Sequence, residues 1–144
     1  MVLHDPRISQ LHLENIATCF EDFCIPQTFA QLEKGLEHWC APELLRIKAG
    51  ILLSESPANT TPAEALLRQA LELASRQGAL SWELRIATSL ARLWREQGKT
   101  PQAHGLLASV YGRFTEGLGT RDLLTAKSLL GELRPMVPIR RAGY

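Results

Sequence analysis

The chain has 144 residues, of which 45% are hydrophobic, and its 16 lysine and arginine residues nearly balance its 15 aspartate and glutamate residues. A chain of this length can bury the core of one domain, so it needs no disulfide or bound metal to fold. The balanced charge gives no overall signal for nucleic acid, and no apolar run is long enough to span a membrane. The first residues lack the pattern of a secretory signal, which predicts a cytoplasmic protein.

Two helices are predicted in the N-terminal region, residues 1–41. Apolar residues recur there at helical spacing, first at Leu13, Ile16, Ala17, Phe20 and Phe23, and then at Phe29, Leu32, Leu36 and Trp39. The chain's three cysteines and one histidine form a candidate metal site, namely Cys19, Cys24, His38 and Cys40. Their spacing matches no zinc pattern, so reduced cysteines on buried helix faces are favoured.

An internal repeat follows in residues 42–133. The apolar series of one predicted helix recurs 40 residues later, with Ala63, Leu66, Leu67, Ala70, Leu71 and Ala74 matching Ala103, Leu106, Leu107, Val110, Tyr111 and Phe114. The helices that precede these two also correspond, with Ala49, Gly50 and Leu53 matching Leu90, Ala91 and Trp94. Such a helix pair cannot bury its apolar face alone, so the pairs are expected to stack, with close contacts at the repeated alanines.

Residues that start and stop helices agree with this repeat. Thr61 and Glu64 are spaced to form a capping box, with Pro62 in the first turn. Gly78 and Gly98 follow the ends of two apolar patterns, where a left-handed glycine ends a helix.

A last helix and a tail complete the chain. Thr120 is placed to cap a helix that carries Leu123, Ala126, Leu129, Leu130 and Leu133 and covers the end of the array. Residues 134–144 contain two prolines and little to pack, which predicts a flexible tail. The sequence therefore predicts an all-α fold of about seven helices.

The second copy of the repeat is similar to a tetratricopeptide repeat. The residues that carry this resemblance are Leu90, Ala91, Trp94, Ala103, Leu107 and Val110. The first copy departs from the pattern, because Arg46 stands where a large aromatic residue is usual. Its period, near 40 residues, also exceeds the usual ~34.

Longer stretches look like the C-terminal end of large bacterial signalling ATPases, namely "PELLRIKAGILL", "AEALLRQALELASRQGALSWELRIATSLARLWREQGK" and "LLASVYGRFTEGLGTRDLLTAKSLLGEL". Those proteins carry a tetratricopeptide array behind a nucleotide-hydrolysing domain, with an adenylate cyclase or winged-helix transcriptional domain in some members. The resemblance implies a tetratricopeptide-like solenoid of antiparallel helices that binds proteins. As an alternative, it implies a regulatory C-terminal fragment of such an ATPase, cyclase or transcriptional regulator.

No catalytic or cofactor-binding pattern is evident. Gly98-Lys99-Thr100 resembles the end of a phosphate-binding loop, but Leu93 replaces the first glycine of that motif and a helical pattern precedes it. The four histidines have no paired carboxylate or nucleophile at a recognisable spacing. A non-enzymatic protein without a cofactor is expected.

The predicted partner-binding residues lie on the first helix of each of the two repeated helix pairs. They are Leu44, Ile47, Ile51, Arg85, Arg92 and Arg95. By the resemblance, this face lines the concave side of the array, where an apolar floor beside a basic edge suits an acidic or amphipathic peptide. The alternative is an ordinary solvated face, with the arginines in ion pairs to Glu83 or Glu96. A homodimer formed through an exposed N-terminal face stays open, whereas no nucleic-acid or membrane partner is expected.

Overall fold

The computed structural model describes residues 40–135. Five α-helices are present there, namely α1 (Ala41–Glu55), α2 (Thr60–Gln77), α3 (Leu80–Glu96), α4 (Thr100–Tyr111) and α5 (Arg121–Leu133). No strand occurs in residues 40–135, which confirms the all-α fold, and none of the helices there has the length and apolarity to cross a membrane. The two predicted N-terminal helices, together with Cys19, Cys24 and His38, lie outside the described residues.

Two glycines end helices in the left-handed conformation, as the sequence predicts. Gly78 follows α2 with a φ of 66°, and Gly98 follows α3 with a φ of 75°. At the second corner the N–H of Lys99 donates to the carbonyl of Trp94 at 2.8 Å, which satisfies a terminal carbonyl of the helix. Connections this short force the helices on either side to pack antiparallel.

The start of α2 differs from the prediction. A short 3₁₀ turn at Pro57–Asn59 runs directly into the helix, so the helix begins at Thr60 and no side chain caps it. The Thr60 hydroxyl donates to the carbonyl of Pro57 at 2.7 Å. The capping box expected from Thr61 and Glu64 is therefore wrong, and the Glu64 side chain contacts α3 instead.

The helices form one layered core in which α3 contacts all four other described helices. Neighbours in sequence pack together, and α3 also packs against α1 and α5. The residues that repeat 40 positions apart occupy equivalent buried places, including the pairs Ala63 and Ala103, Leu67 and Leu107, and Ala70 and Val110. Ala91 is fully buried as well, as expected of an alanine between neighbouring helices.

Helix α5 repeats the buried positions of α3 about 39 residues later. Leu84, Ala87 and Leu90 of α3 correspond to Leu123, Ala126 and Leu129 of α5, and all six are buried. Because α5 packs on α3 as α3 packs on α1, the three helices are successive first helices of one repeating arrangement.

Candidate functional site

Charged side chains join the N-terminal ends of α1, α3 and α5. Arg85 of α3 donates from Nε to Asp122 of α5 at 2.7 Å and from a terminal nitrogen to Glu43 of α1 at 3.3 Å. Both carboxylates lie in the first turn of their helices, where the helix dipole favours negative charge. One arginine near the start of α3 reaches the start of both neighbours, so the three helices run in the same direction.

Glu43 is fully buried and is held by a second arginine. Arg46 donates to both oxygens of the Glu43 carboxylate, from Nε to Oε2 at 2.9 Å and from a terminal nitrogen to Oε1 at 2.7 Å. A bidentate pair of this kind is among the stronger charged contacts in proteins. Arg46, which departs from the tetratricopeptide pattern, therefore neutralises the buried carboxylate of Glu43.

A second ion pair joins α3 and α5 at their C-terminal ends. Arg95 bonds Glu132, and the two residues are 37 positions apart, the same separation as Arg85 and Asp122. Both side chains of this pair are well exposed, at 39% for Arg95 and 55% for Glu132. The two pairs join α3 and α5 near both ends.

A cleft of about 460 Å³ lies between α3 and α5. Its lining consists of Arg92, Arg95, Leu124, Thr125, Ser128, Leu129 and Glu132. The cleft runs along two parallel first helices of the repeating arrangement, and we treat it as the candidate functional site.

The chemistry of the cleft combines a cation with an apolar side chain. Arg92 is exposed, and within residues 40–135 it pairs with no carboxylate. Leu124 is 53% exposed and presents apolar surface to the cleft. Thr125 and Ser128 add hydroxyl groups to the same wall. The arrangement can hold a ligand that carries both a negative charge and an apolar group.

Two of the six predicted partner-binding residues line this cleft, Arg92 and Arg95. Arg85 does not line the cleft and is bound by two carboxylates, Glu43 and Asp122. The three residues predicted on α1 lie elsewhere, with Leu44 and Ile47 buried and Ile51 half-buried.

The contribution of α5 to the cleft was missed by the sequence analysis, which interpreted that helix as a cover. The signal that identifies it is the recurrence of the α3 pattern 39 residues later, from Leu84 to Leu123 onward. This recurrence places α5 beside α3 and brings Leu124 next to the arginines.

A separate polar cluster joins α2 to α3 around Glu64. Its carboxylate accepts hydrogen bonds from Trp94 Nε1 at 3.0 Å, from Arg68 at 2.9 Å and from Gln97 at 3.3 Å, and Lys99 Nζ lies 3.8 Å away. The Arg68 guanidinium also lies 5.0 Å from the centre of the Trp94 ring, a cation–π distance. The cluster ties two helices together.

The pKa of Glu64 lies below its ordinary value. Burial opposes the charged form and raises the pKa, but the hydrogen bonds from Trp94, Arg68 and Gln97 and the charge of Lys99 outweigh it. Lys99 of the Gly98-Lys99-Thr100 segment is thus part of a contact between helices, at a corner that follows a helix and not a strand.

Metal ligands are not grouped in the described part of the chain. Within residues 40–135 no three histidine, cysteine, aspartate or glutamate side chains come together in a way that holds a metal. Cys40 is buried there, and the other members of the candidate metal site lie outside the described residues.

Comparisons with family models, with curated proteins and with solved structures found no match to this chain. Residues 40–135 form an all-helical fold with a basic and apolar cleft between two parallel helices.

Proposed function

We propose that this chain is a non-catalytic protein-binding module of tetratricopeptide type, a helical-repeat solenoid of about seven helices. Its α3–α5 cleft binds an acidic, amphipathic segment of a partner protein. The observation that carries this proposal is that Arg92, which pairs with no carboxylate of the described residues 40–135, lies beside the exposed Leu124.

The repeating arrangement supports a binding role. Stacked helix pairs present an extended groove along their first helices, and proteins of this architecture use such surfaces to bind other proteins. The cleft lies between two such first helices, α3 and α5.

The lining of the cleft indicates the chemistry of the partner. A guanidinium that faces solvent without a carboxylate attracts an acidic group and can bind it bidentately. Covering Leu124 removes apolar surface from water, and full burial of a leucine side chain is worth about 1.5–3 kcal/mol. Apolar contact then supplies much of the affinity, while Arg92 orients the partner and speeds association.

Selection from a random peptide library on the full chain tests this function. We expect the selected peptides to combine acidic and apolar residues. Binding should fall with Arg92→Glu and with Leu124→Asp, and should persist with Arg76→Glu, an equal charge reversal at an exposed position of α2. Peptides that bind the Arg92→Glu chain as well as the original would place the binding surface outside the cleft.

Ionic strength separates the two contributions. The effect of Arg92→Glu should shrink as salt rises, because exposed charges are screened over about 8 Å at physiological ionic strength. The effect of Leu124→Asp should persist at high salt, since it removes apolar contact. Ile51→Asp tests the predicted groove on α1, and a loss equal to that of Leu124→Asp would extend the site to that helix.

A further inference from the structure

The three arginines on α3 differ in how firmly carboxylates hold them. Arg85 is bound by two carboxylates, one of them the fully buried Glu43. Arg95 is bound by Glu132 in an exposed pair. Arg92 has no carboxylate partner within residues 40–135. Arg85 is therefore held firmly by its carboxylates, whereas Arg95 can exchange its partner.

Arg95 and Glu132 belong to the lining of the cleft itself. Arg92 and Arg95 are three residues apart on one helix, so their side chains emerge on the same face. A carboxylate that enters the cleft at Arg92 thus meets a second guanidinium that already holds a carboxylate. To use Arg95, the incoming group must displace Glu132.

We infer that Glu132 is an intramolecular competitor that occupies Arg95 and lowers the affinity of the cleft for its acidic partner. This inference rests on the proposed function and concerns the regulation of the same site. Both members of the pair are solvent-exposed, so its coupling is small and an incoming carboxylate can displace it. Counting contacts within residues 40–135 alone, the cleft then offers one guanidinium without a carboxylate at rest and two when Glu132 is displaced.

A double-mutant cycle on the full chain tests the competition. The probe is a short, fluorescently labelled synthetic peptide with glutamates on one helical face and leucines on the other, and fluorescence anisotropy gives its dissociation constant. Glu132→Gln should tighten binding by about 2- to 5-fold, the range set by coupling energies of exposed ion pairs. In an Arg95→Gln background the same substitution should change nothing, since the competed cation is gone.

Glu72→Gln is the matched control, because it makes the same charge change at an exposed position of α2 away from the cleft. Tightening by Glu132→Gln that equals this control, or that persists in the Arg95→Gln background, would show a general charge effect and overturn the inference. Unchanged affinity with Glu132→Gln, alongside a loss with Arg92→Gln, would also overturn it and leave the proposed function standing. A peptide whose binding ignores Arg92→Gln overturns the proposed function, and the competition falls with it.

Discussion

Glu43 combines full burial with a negative charge, which is costly unless every oxygen is satisfied. Arg46 meets both oxygens from within α1, and Arg85 adds a bond from α3. Because Arg85 also forms an ion pair with Asp122, the buried carboxylate belongs to a network of contacts that joins three helices. A carboxylate in this position fixes how α1, α3 and α5 align.

Removing the charge of Glu43 should destabilise the fold. Glu43→Gln keeps the side-chain shape but leaves Arg46 and Arg85 without their shared carboxylate, at a cost of about 3 kcal/mol. The free energy of unfolding from urea denaturation measures this. Glu72→Gln, at an exposed position, serves as the control and should stay within about 0.5 kcal/mol of the original. Equal midpoints for the two variants would mean that the charge of Glu43 contributes nothing to stability.

Glu64 should make stability depend on acid. Its pKa in the folded chain lies below the ordinary value of 4.5, so the unfolded chain binds a proton more readily. Its stabilising contribution is therefore complete above pH 4.5 and is lost as pH falls through the lower, folded pKa. Glu64→Gln should flatten that acid limb in a plot of unfolding free energy against pH. An acid limb of unchanged slope in this variant would assign the loss to other carboxylates.

The corners between helices depend on glycines that differ in backbone conformation. Gly98 has a φ of 75°, which side chains disfavour, whereas Gly105 lies in the exposed interior of α4 with open space around it. Gly98→Ala should cost about 1–2 kcal/mol. Gly105→Ala should stabilise by about 0.5–1 kcal/mol, because alanine loses less freedom in a helix. The midpoint temperatures of thermal unfolding of the two variants should shift in opposite directions. Shifts in the same direction would contradict the left-handed conformation assigned to Gly98.

The apolar spacing in the sequence predicted α2 to α5 well, because a helical face needs only local residues to be recognised. Capping at Thr61 failed, since the preceding 3₁₀ turn supplies the helix start and frees Glu64 for α3. The partners of the arginines were missed for another reason. The alternative to partner binding was pairing with Glu83 or Glu96, yet the carboxylates that bind Arg85 and Arg95 lie on other helices and depend on packing. The sequence predicted only part of the lining of the cleft, namely Arg92 and Arg95.

At the scale of the whole molecule, α5 closes the described array. It packs on both α3 and α4, and Tyr111 and Phe114 pack against the core nearby. A stack of helix pairs exposes apolar surface when its last helix is removed. Removal of α5 should therefore expose apolar surface and would also remove one side of the cleft.

A chain that ends at Gly119 should self-associate, because it lacks α5 and exposes the apolar face of α3 and α4. Light scattering after size exclusion measures the assembly state. A chain that ends at Pro135 retains all five described helices and is the control. Truncation at Gly119 with the same stability and assembly state as this control would contradict the role assigned to α5.

The position of α3, in contact with all four other described helices, has a consequence for the dynamics of the chain. The main helix contacts join elements that are close in sequence, so an end of the array can open while its middle stays folded. Amide hydrogens of α3 should therefore exchange with solvent deuterium only when the whole array unfolds. The amide hydrogens of α5, which packs on only two helices, should exchange through a local opening of lower free energy. The α3 side of the cleft should therefore stay folded longer than the α5 side.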